Sequence, residues 1–452
     1  MTSFDQISKL HMVGIGGVSM RILARACMRR GMTVTGSDRN PDAVRELHGT
    51  GIQAYAGSRP QTACLADVVV YTAAIADNDP ELTACRAAGI PCYERKELLG
   101  WLCEQYAHTI AVAGTHGKTT VTAMILHIFR VAQIAYDGHV GGSPIGVAMS
   151  WGEDPQWFIT EACEYHRTLC CLHPEIGMVL NCAFDHPDTY RDRQDLQDTF
   201  ATFLSGCEHA IVGEQAADCA PQATCFGYGA DCDSRATILC EHAGRYTWQW
   251  HYGADVYTVR MSVFGRHNVT NALAAATACA HVGIAAEQIV QALESFAGVE
   301  RRMQCLGMTA HGTRVITDYA HHPDEIAGAI DAARRMQTGE LTVLFQPHTY
   351  SRTQALADEF AHCFYWADHL GILPTYAARE VPSDGMDARG LCARICSAGK
   401  NCLYLDSNEK ATEFIRRTEQ TTGLILVLGA GDIDRLAHLL VSEPAISTAP
   451  KS

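Results

Sequence analysis

Lysine is scarce in this chain of 452 residues. Six occur, and none lies between Lys118 and Lys400, so Lys118 stands alone across a long central stretch. Positive charge is short overall: 35 Lys and Arg face 50 Asp and Glu, for a formal charge of −15. A nucleic-acid binder would carry a basic face, and this balance argues against one. Small anionic ligands stay open, because backbone amides and single cations can hold them. No run of about 18 apolar residues occurs, so no membrane-spanning helix is expected. The opening "MTSFDQISKLHMVGIGGVSM" lacks a basic segment followed by a long apolar core. No secretory signal is read there, and a cytoplasmic location is expected. No C-x-x-C pair exists among the 20 cysteines, which argues against a zinc ribbon or a thioredoxin-like site. In a reducing compartment most of them are expected to be small buried hydrophobes.

What is there is globular. The hydrophobic share is 47% and the charged share 19%, and roughly 100–200 residues per domain suggests two to four domains. Short apolar runs alternate with helical patterns, which indicates parallel α/β sheets. A first unit runs from "HMVGIGG" to "ERKELLGWLCEQY", a second opens at "HTIAVAGTHGKTTVTAMILHIFRVA", and a third begins near "GVERRMQCLGMTAHGTRVITDYAHHPDEI". The expected domains are 1–106, 107–310 and 311–452. Within the second, residues 220–265 alternate like β-hairpins. The tail "SEPAISTAPKS" is expected to be loose.

The stretch Gly114, Thr115, His116, Gly117, Lys118, Thr119, Thr120 follows a strand and opens a helix. Amides at a helix start, with the helix dipole, attract a phosphate. The two glycines let backbone approach it, Lys118 can reach terminal phosphates, and the Thr119 hydroxyl can ligate magnesium. The bland alternative is a plain helix start with Thr caps. Nearer the N-terminus, Gly14, Gly16, Gly17 and Ser19 approximate G-x-G-x-x-G, and Asp38 falls where a dinucleotide fold places its ribose-binding acid. Taken alone this suits an NAD-dependent oxidoreductase, or a tight strand–helix turn. "ITEACE" ends a strand in two acids, and "NCAFDHPD" follows the next. A metal site and a solvated loop both fit them. Asn268 or Thr270 would suit a cap at "GRHNVTN". Asp318, Tyr319, His321 and His322 lie at one strand-to-helix turn, and His348, Tyr350 and Arg352 at another. These turns are read as the C-terminal ends of adjacent parallel strands, where open α/β sheets bind ligands.

"GTHGKTT" resembles the shortened ATP loop of the Mur ligases, the cytoplasmic enzymes that build the peptidoglycan stem peptide. The resemblance runs along nearly the whole chain, through "HMVGIGGVSM", "TAAI" with "DNDPEL", "GRHNVTNALAA", "GVERRM", "DYAHHPDEI", "FQPHTYSRT", "YAARE" and "GAGDI". It implies a Rossmann-like N-terminal domain, a central P-loop ATPase-like domain with a mixed or parallel sheet, and a Rossmann-like C-terminal domain. It implies an ATP- and Mg2+-dependent ligase that joins L-alanine to the carboxylate of UDP-N-acetylmuramate through an acyl phosphate. By the same resemblance, Gly14, Gly16, Gly17, Ser19, Asp38 and Arg95 contact the sugar nucleotide. The loop 114–120, His267, Asn268, Asn271 and Asp318 hold ATP. Thr119, Glu161 and His186 hold the metal. Tyr319, His321, His348 and Arg352 surround the amino acid, with Lys118, His321, His348 and Arg352 acting in the chemistry. A monomer or homodimer is expected.

Departures from the family pattern stand beside it. Gly57-Ser58 replaces a usual Gly-His, Ala183 an acid, Cys163 and Thr317 aspartates, Phe264 a proline and Thr349 an arginine. The carbamylated lysine of many members has no counterpart. Other readings therefore stay open: a member adding a preformed tripeptide, a degenerate nucleotide binder, or the oxidoreductase.

Overall fold

The computed structural model describes residues 4–186, 189–336, 339–378, 380–381 and 386–442. Pro187 and Asp188 of the Asp/His turn, Arg379 of "YAARE" and the tail 443–452 lie outside them. Among the described residues the chain forms a three-domain α/β fold with sheets of five, ten and six strands.

The first sheet holds β1 (Lys9–Val13), β2 (Thr33–Asp38), β3 (Gln53–Ala56), β4 (Val68–Tyr71) and β5 (Cys92–Glu94), in the order β3-β2-β1-β4-β5. All its pairings are parallel. Strands such as "KLHMV" and "VVVY" are buried almost throughout, as a sheet covered on both faces requires. β1 is central, and its neighbours β2 and β4 lead the chain to opposite edges. The crevice at its C-terminal end is therefore the topological switch point, where such sheets bind ligands. Gly14, Gly16 and Gly17 lie at that end.

The second sheet holds β6 (His108–Ala113), β7 (Tyr136–His139), β8 (Ser150–Trp151), β9 (Trp157–Glu161), β10 (Ile176–Val179), β11 (His209–Gly213), β12 (Thr224–Gly227), β13 (Ser234–His242), β14 (Arg245–Tyr252) and β15 (Asp255–Phe264). Its order is β15-β14-β13-β12-β11-β10-β6-β9-β7-β8. β6 lies between β10 and β9, parallel to both. β13, β14 and β15 form the antiparallel meander expected from the alternation in 220–265. The helices Lys118–Val131, Arg266–His281 and Ala286–Ser295 share one core with the inward Trp248 and Trp250 of β14.

The third sheet holds β16 (Gln304–Met308), β17 (Arg314–Asp318), β18 (Glu340–Phe345), β19 (His369–Ile372), β20 (Leu403–Tyr404) and β21 (Thr422–Leu428), in the order β16-β17-β21-β18-β19-β20. It starts at Gln304, ahead of position 311. It also corrects one expectation. β17 and β18 are not adjacent, because β21 enters between them. The two histidine-bearing turns still meet, because β21 is followed directly by Gly429. A Cβ there would lie 3.0 Å from the Gln346 carbonyl oxygen.

Among the described residues no helix is long and apolar enough to cross a membrane. The cysteines depart from expectation. Only seven of the twenty are buried, and Cys170, Cys240, Cys305 and Cys396 are exposed. Cys240 and Cys305 lie on the solvent side of β13 and β16 and Cys396 on an outer helix face, where a thiol is small enough to stay solvated without disturbing a core.

Candidate functional site

The loop between β6 and the helix Lys118–Val131 is fixed by its glycines and by the next strand. Gly114 has φ +132° and Gly117 φ +87°, and a Cβ on Gly117 would lie 2.5 Å from Asn271 Oδ1. The Asn181 side chain accepts from the His116 amide and donates to the His116 carbonyl, both at 2.9 Å. The Thr115 hydroxyl donates to the Ala183 carbonyl at 2.7 Å. Ala183 thus serves through its backbone, where the family pattern often has an acid. No side chain caps the helix, so the first-turn amides remain free to meet an anion.

Lys118 is folded back rather than extended. Its Nζ donates to the Gly114 and Thr115 carbonyls at 2.5 and 3.0 Å, and lies 2.9 Å from Glu164 Oε2. Burial disfavours the ammonium, but Glu164 outweighs it and holds the lysine pKa above its ordinary value. Glu164 is likewise buried, and Lys118 and His186 hold its carboxyl below the usual range. Glu164 carries no distinguishing signal in the sequence beside Glu161, yet it is the partner of Lys118. Glu161 accepts the Gly141 amide at 2.7 Å, and His186 Nε2 lies 3.5 Å from Glu164 Oε1. Oxygen donors with one imidazole at three neighbouring strand ends are a donor set that suits a hard divalent cation.

A cavity of about 330 Å3 opens beside this loop. Of the expected nucleotide residues, His116, Gly117, Thr120, His267, Asn268, Asn271 and Asp318 line it. Phe226, Tyr228, Arg302 and Glu325 join them; Arg302 and Glu325 lie in the "GVERRM" and "DYAHHPDEI" motifs, but the sequence gives none of the four a role. Gly114, Thr115, Lys118 and Thr119 are not in the lining. Asn268 donates to the Phe264 carbonyl at 2.7 Å and accepts from Asn271 at 2.9 Å. This fixes the helix start without excluding a ligand. Asp318 accepts the Met303 and Ala320 amides, both at 2.7 Å. Its burial still pushes the carboxyl up to about 6, against the pull of Arg302 and those amides.

The third domain reaches this junction through one acid, Glu325, and one guanidinium, Arg352. Glu325 lies 3.1 Å from His116 Nδ1 of the phosphate loop and 3.4 Å from His321 Nδ1. Arg352 lies 3.4 Å from Asp185 and contacts His348 Nδ1 at 3.4 Å. The His321 and His348 ring centres are 5.7 Å apart. Burial pushes both histidines down to about 4, with Arg352 adding to the effect. They are neutral at physiological pH, so they are poor bases as they stand. Tyr319 lies under two guanidinium groups, Arg301 at 4.8 Å and Arg302 at 5.2 Å from its ring centre. Thr349 sits at φ +66° and its amide donates to the Tyr376 carbonyl. Arg352 is the buried cation at this turn.

These histidines give the fold a pH dependence. His267 and His321 are pushed down to about 4, and His139 to about 3, mainly by burial. Their folded values lie below the unfolded value near 6.5. The stability they permit is present above pH 6.5 and is lost as pH falls toward 4, because the unfolded chain takes the protons first. Each of these rings should cost ~2 kcal/mol at pH 5. Asp318 works oppositely, since its raised carboxyl favours the fold as pH drops through 6. Urea denaturation at pH 7.5 and pH 5.0 should show a clear net loss at the lower pH, and equal midpoints would contradict neutral burial of the three rings.

At the N-terminal turn the glycine amides are already engaged. Gly14 and Ile15 donate to the Ser37 carbonyl, Gly17 to Gly14, and Gly16 to Asp38 Oδ2 at 2.8 Å. Asp38 also accepts the Asn40 amide at 2.9 Å. A diphosphate here would meet the uncapped start of the helix Val18–Arg29 instead. Ser19 lies on that first turn, with Arg95 donating to its hydroxyl at 2.9 Å. The hydroxyl also meets His139 Nε2 of the central domain at 2.6 Å. His139, unread in the sequence, thus ties the two domains at the expected sugar-nucleotide residues.

Three family descriptions match the chain in order. They are "Mur ligase family, catalytic domain" over residues 9–107, "Mur ligase middle domain" over 112–279 and "Mur ligase, glutamate ligase domain" over 301–431. The chain belongs to the Mur ligase family. Within it, the chain is 35% identical over 451 residues to the UDP-N-acetylmuramate–L-alanine ligase of Clostridium novyi, spanning 97% of this chain and 98% of that one. It is 36% identical over 462 residues to the ligase of the same name from Lachnospira eligens, with 97% and 99% covered. The fold is shared with a solved UDP-N-acetylmuramate–alanine ligase from Thermotoga maritima, with a TM-score of 0.82 at 23% identity over 96% and 98% of the two chains. A murein peptide ligase from Psychrobacter arcticus gives 0.70 at 23% identity over 98% and 100%.

Proposed function

We propose that this protein is an ATP-dependent ligase that joins L-alanine to the carboxylate of UDP-N-acetylmuramate, in the synthesis of peptidoglycan precursors in the cytoplasm. The observation that carries the reading is the junction between phosphate loop and third domain. Glu325 bridges His116 to His321, and Arg352 crosses to Asp185, beside a nucleotide-sized cavity. The full-length likeness to alanine-adding relatives supports the choice of substrate.

In this reading the muramyl carboxylate attacks the γ-phosphorus and ADP leaves. The alanine amine then attacks the acyl phosphate, and phosphate leaves as the amide forms. Lys118 and the first-turn amides stabilise charge on the transferring group. His267, Asn268, Asn271 and Asp318 line the nucleoside end. Thr119, Glu161 and His186 would hold magnesium, which neutralises phosphate charge when bound. Arg352 faces the alanine carboxylate in a two-point pairing. His321 and His348, as neutral rings, accept hydrogen bonds from the ammonium. Phosphate charge beside them raises their basicity as the amine must lose its proton. Ser19, Arg95 and the helix start at Val18 hold the sugar diphosphate.

The test is phosphate release from Mg-ATP and UDP-N-acetylmuramate with L-alanine, L-serine, glycine or the intact murein tripeptide. Turnover with alanine is expected. Preference for the tripeptide would move the protein to the other branch, and no turnover at all would make it a nucleotide binder only. A change in nicotinamide absorbance would revive the oxidoreductase.

Gly16→Ala probes the N-terminal end. Its Cβ would lie 2.6 Å from the Ala43 Cβ and 2.7 Å from Asp38 Oδ2, and the Ala43 methyl has no rotamer to escape by. Overpacking of this kind costs ~1–3 kcal/mol. The KM for the sugar nucleotide should rise about ten-fold, 1.4 kcal/mol in binding, with the KM for ATP nearly unchanged. Equal effects on both would detach this turn from the sugar nucleotide.

A further inference from the structure

We infer that Cys392, Cys396 and Cys402, on the outer edge of the third domain, form a three-thiolate site for one zinc ion. Cys392 and Cys396 stand four residues apart on the helix Ala388–Ser397, so they share one face. Cys402 immediately precedes β20 and closes over that face. Its sulfur lies 2.9 Å from Cys392 Sγ and 3.4 Å from Cys396 Sγ, and all three sulfurs fall within 4.8 Å of one another. A point at the zinc–sulfur distance of ~2.3 Å from each needs only small side-chain rotations.

Simple packing explains this cluster poorly. Cysteines used as core filler here, such as Cys27 and Cys279, are fully enclosed in apolar clusters, whereas of these three only Cys392 is a buried member of one, with Cys402 packed at its edge. In this cluster Cys392 is buried, Cys402 half-buried and Cys396 exposed. The sulfurs turn toward one another. The Cys402 thiol donates to the Cys392 carbonyl at 3.2 Å, and the Cys396 thiol to the Cys402 carbonyl at 3.6 Å. A redox-reactive thiol also fits poorly, because such thiols need a nearby cation or helix N-terminus to hold the thiolate. A bound cation would hold three thiolates in this space. Three converging soft donors suit zinc once the sulfurs spread slightly toward tetrahedral spacing, with water as fourth ligand on the exposed Cys396 side. On binding, the three S–H protons pass to solvent and three Zn–S bonds form.

The position gives the ion a purpose. β20 has two residues and pairs with β19 at two positions, Gly371 with Leu403 and Ile372 with Tyr404. It is the sheet's edge, held by little of its own. An ion spanning Cys392, Cys396 and Cys402 would staple that edge to its crossover helix. β19 in turn leads to Tyr376, whose ring stacks on His348 with centres 5.6 Å apart.

The full-length protein, reduced and stripped of metal, is titrated with Co2+ as a spectroscopic probe and then with Zn2+. One equivalent of thiolate-to-cobalt charge-transfer absorption is expected, displaced by zinc, together with a higher thermal midpoint of unfolding. Cys396→Ser, at an exposed position that should not disturb folding, should weaken binding at least ten-fold. Cys402→Ser should do the same, with circular dichroism confirming the fold of each. Cys240→Ser, exposed elsewhere, and Cys225→Ser, from a two-thiol pair 3.2 Å from Cys232 Sγ, should leave the signal intact. No charge-transfer band, or an equal band in Cys396→Ser and Cys402→Ser, overturns the assignment. So does oxidation of two of the three thiols to a disulfide in preference to metal binding by the reduced chain.

Discussion

Lys118→Ala should abolish turnover, by about a thousand-fold or more, while far-UV circular dichroism stays that of the native chain. The rate loss follows from position. Lys118 opens the helix behind the phosphate loop, and no other lysine occurs between Lys96 and Lys400 to replace it. Removing one preorganised donor to a developing charge costs ~100–1,000-fold, and here the donor carries a full charge. The variant should also be less stable, since Lys118 is the nearest cation to a buried Glu164. Breaking such a pair from one side costs ~3–5 kcal/mol. A second variant separates the two effects. Lys118→Met combined with Glu164→Gln removes the stranded charge, so it should recover most of the thermal midpoint and none of the turnover. Recovery of activity along with stability would reduce Lys118 to a structural partner of Glu164. The folded-back position of Lys118 also says what nucleotide must do. Phosphate charge has to compete with Glu164 for the ammonium, so Glu164→Gln alone should lower the KM for ATP.

The sequence carried the local parts of this site and missed the tertiary ones. "IAVAGTHGKTT" states a buried strand, two backbone-permissive glycines and a helix start, and each lies where the spacing placed it. The hairpin alternation of 220–265 was equally legible, because a one-sided sheet writes its register into every second residue. What period and spacing cannot state is which strands become neighbours. β21 lies last in the chain yet enters between β17 and β18, so "GAGDI" comes to touch the histidine turns. Glu325 reads as an ordinary acid in a helix's first turn, where the dipole favours it. Only the fold shows it reaching His116, 209 residues away in sequence. Glu164 was hidden in the same way beside Glu161. The neutral state of His321 and His348 was not legible either, because it is set by burial that residue identity does not encode.

Arg352→Ala should lower kcat by about a hundred-fold and raise the KM for alanine by at least ten-fold, while nucleotide affinity changes little. Arg352 is buried, and its planar fork reaches Asp185 on one side and His348 on the other. Loss of a charged hydrogen-bonding group against a carboxylate costs ~1.5–3 kcal/mol, which accounts for the KM. The further drop in kcat reflects a misplaced amine, since positioning alone is worth several kcal/mol. Arg352→Lys should rescue little, because a point charge cannot reproduce a two-point contact. Asp185→Asn gives the decisive contrast. Arg352 holds the Asp185 carboxyl well below its usual range, so in the absence of substrate this pair ties the third domain to the central one. If the alanine carboxylate takes the same guanidinium, it must displace Asp185 or share Arg352 with it. Asp185→Asn should then lower the KM for alanine, and small-angle scattering should show a more open ligand-free chain. Arg352→Ala should open the chain too, yet raise that KM. A common direction for both variants would make the pair a latch alone, and would leave the alanine carboxylate to be bound elsewhere.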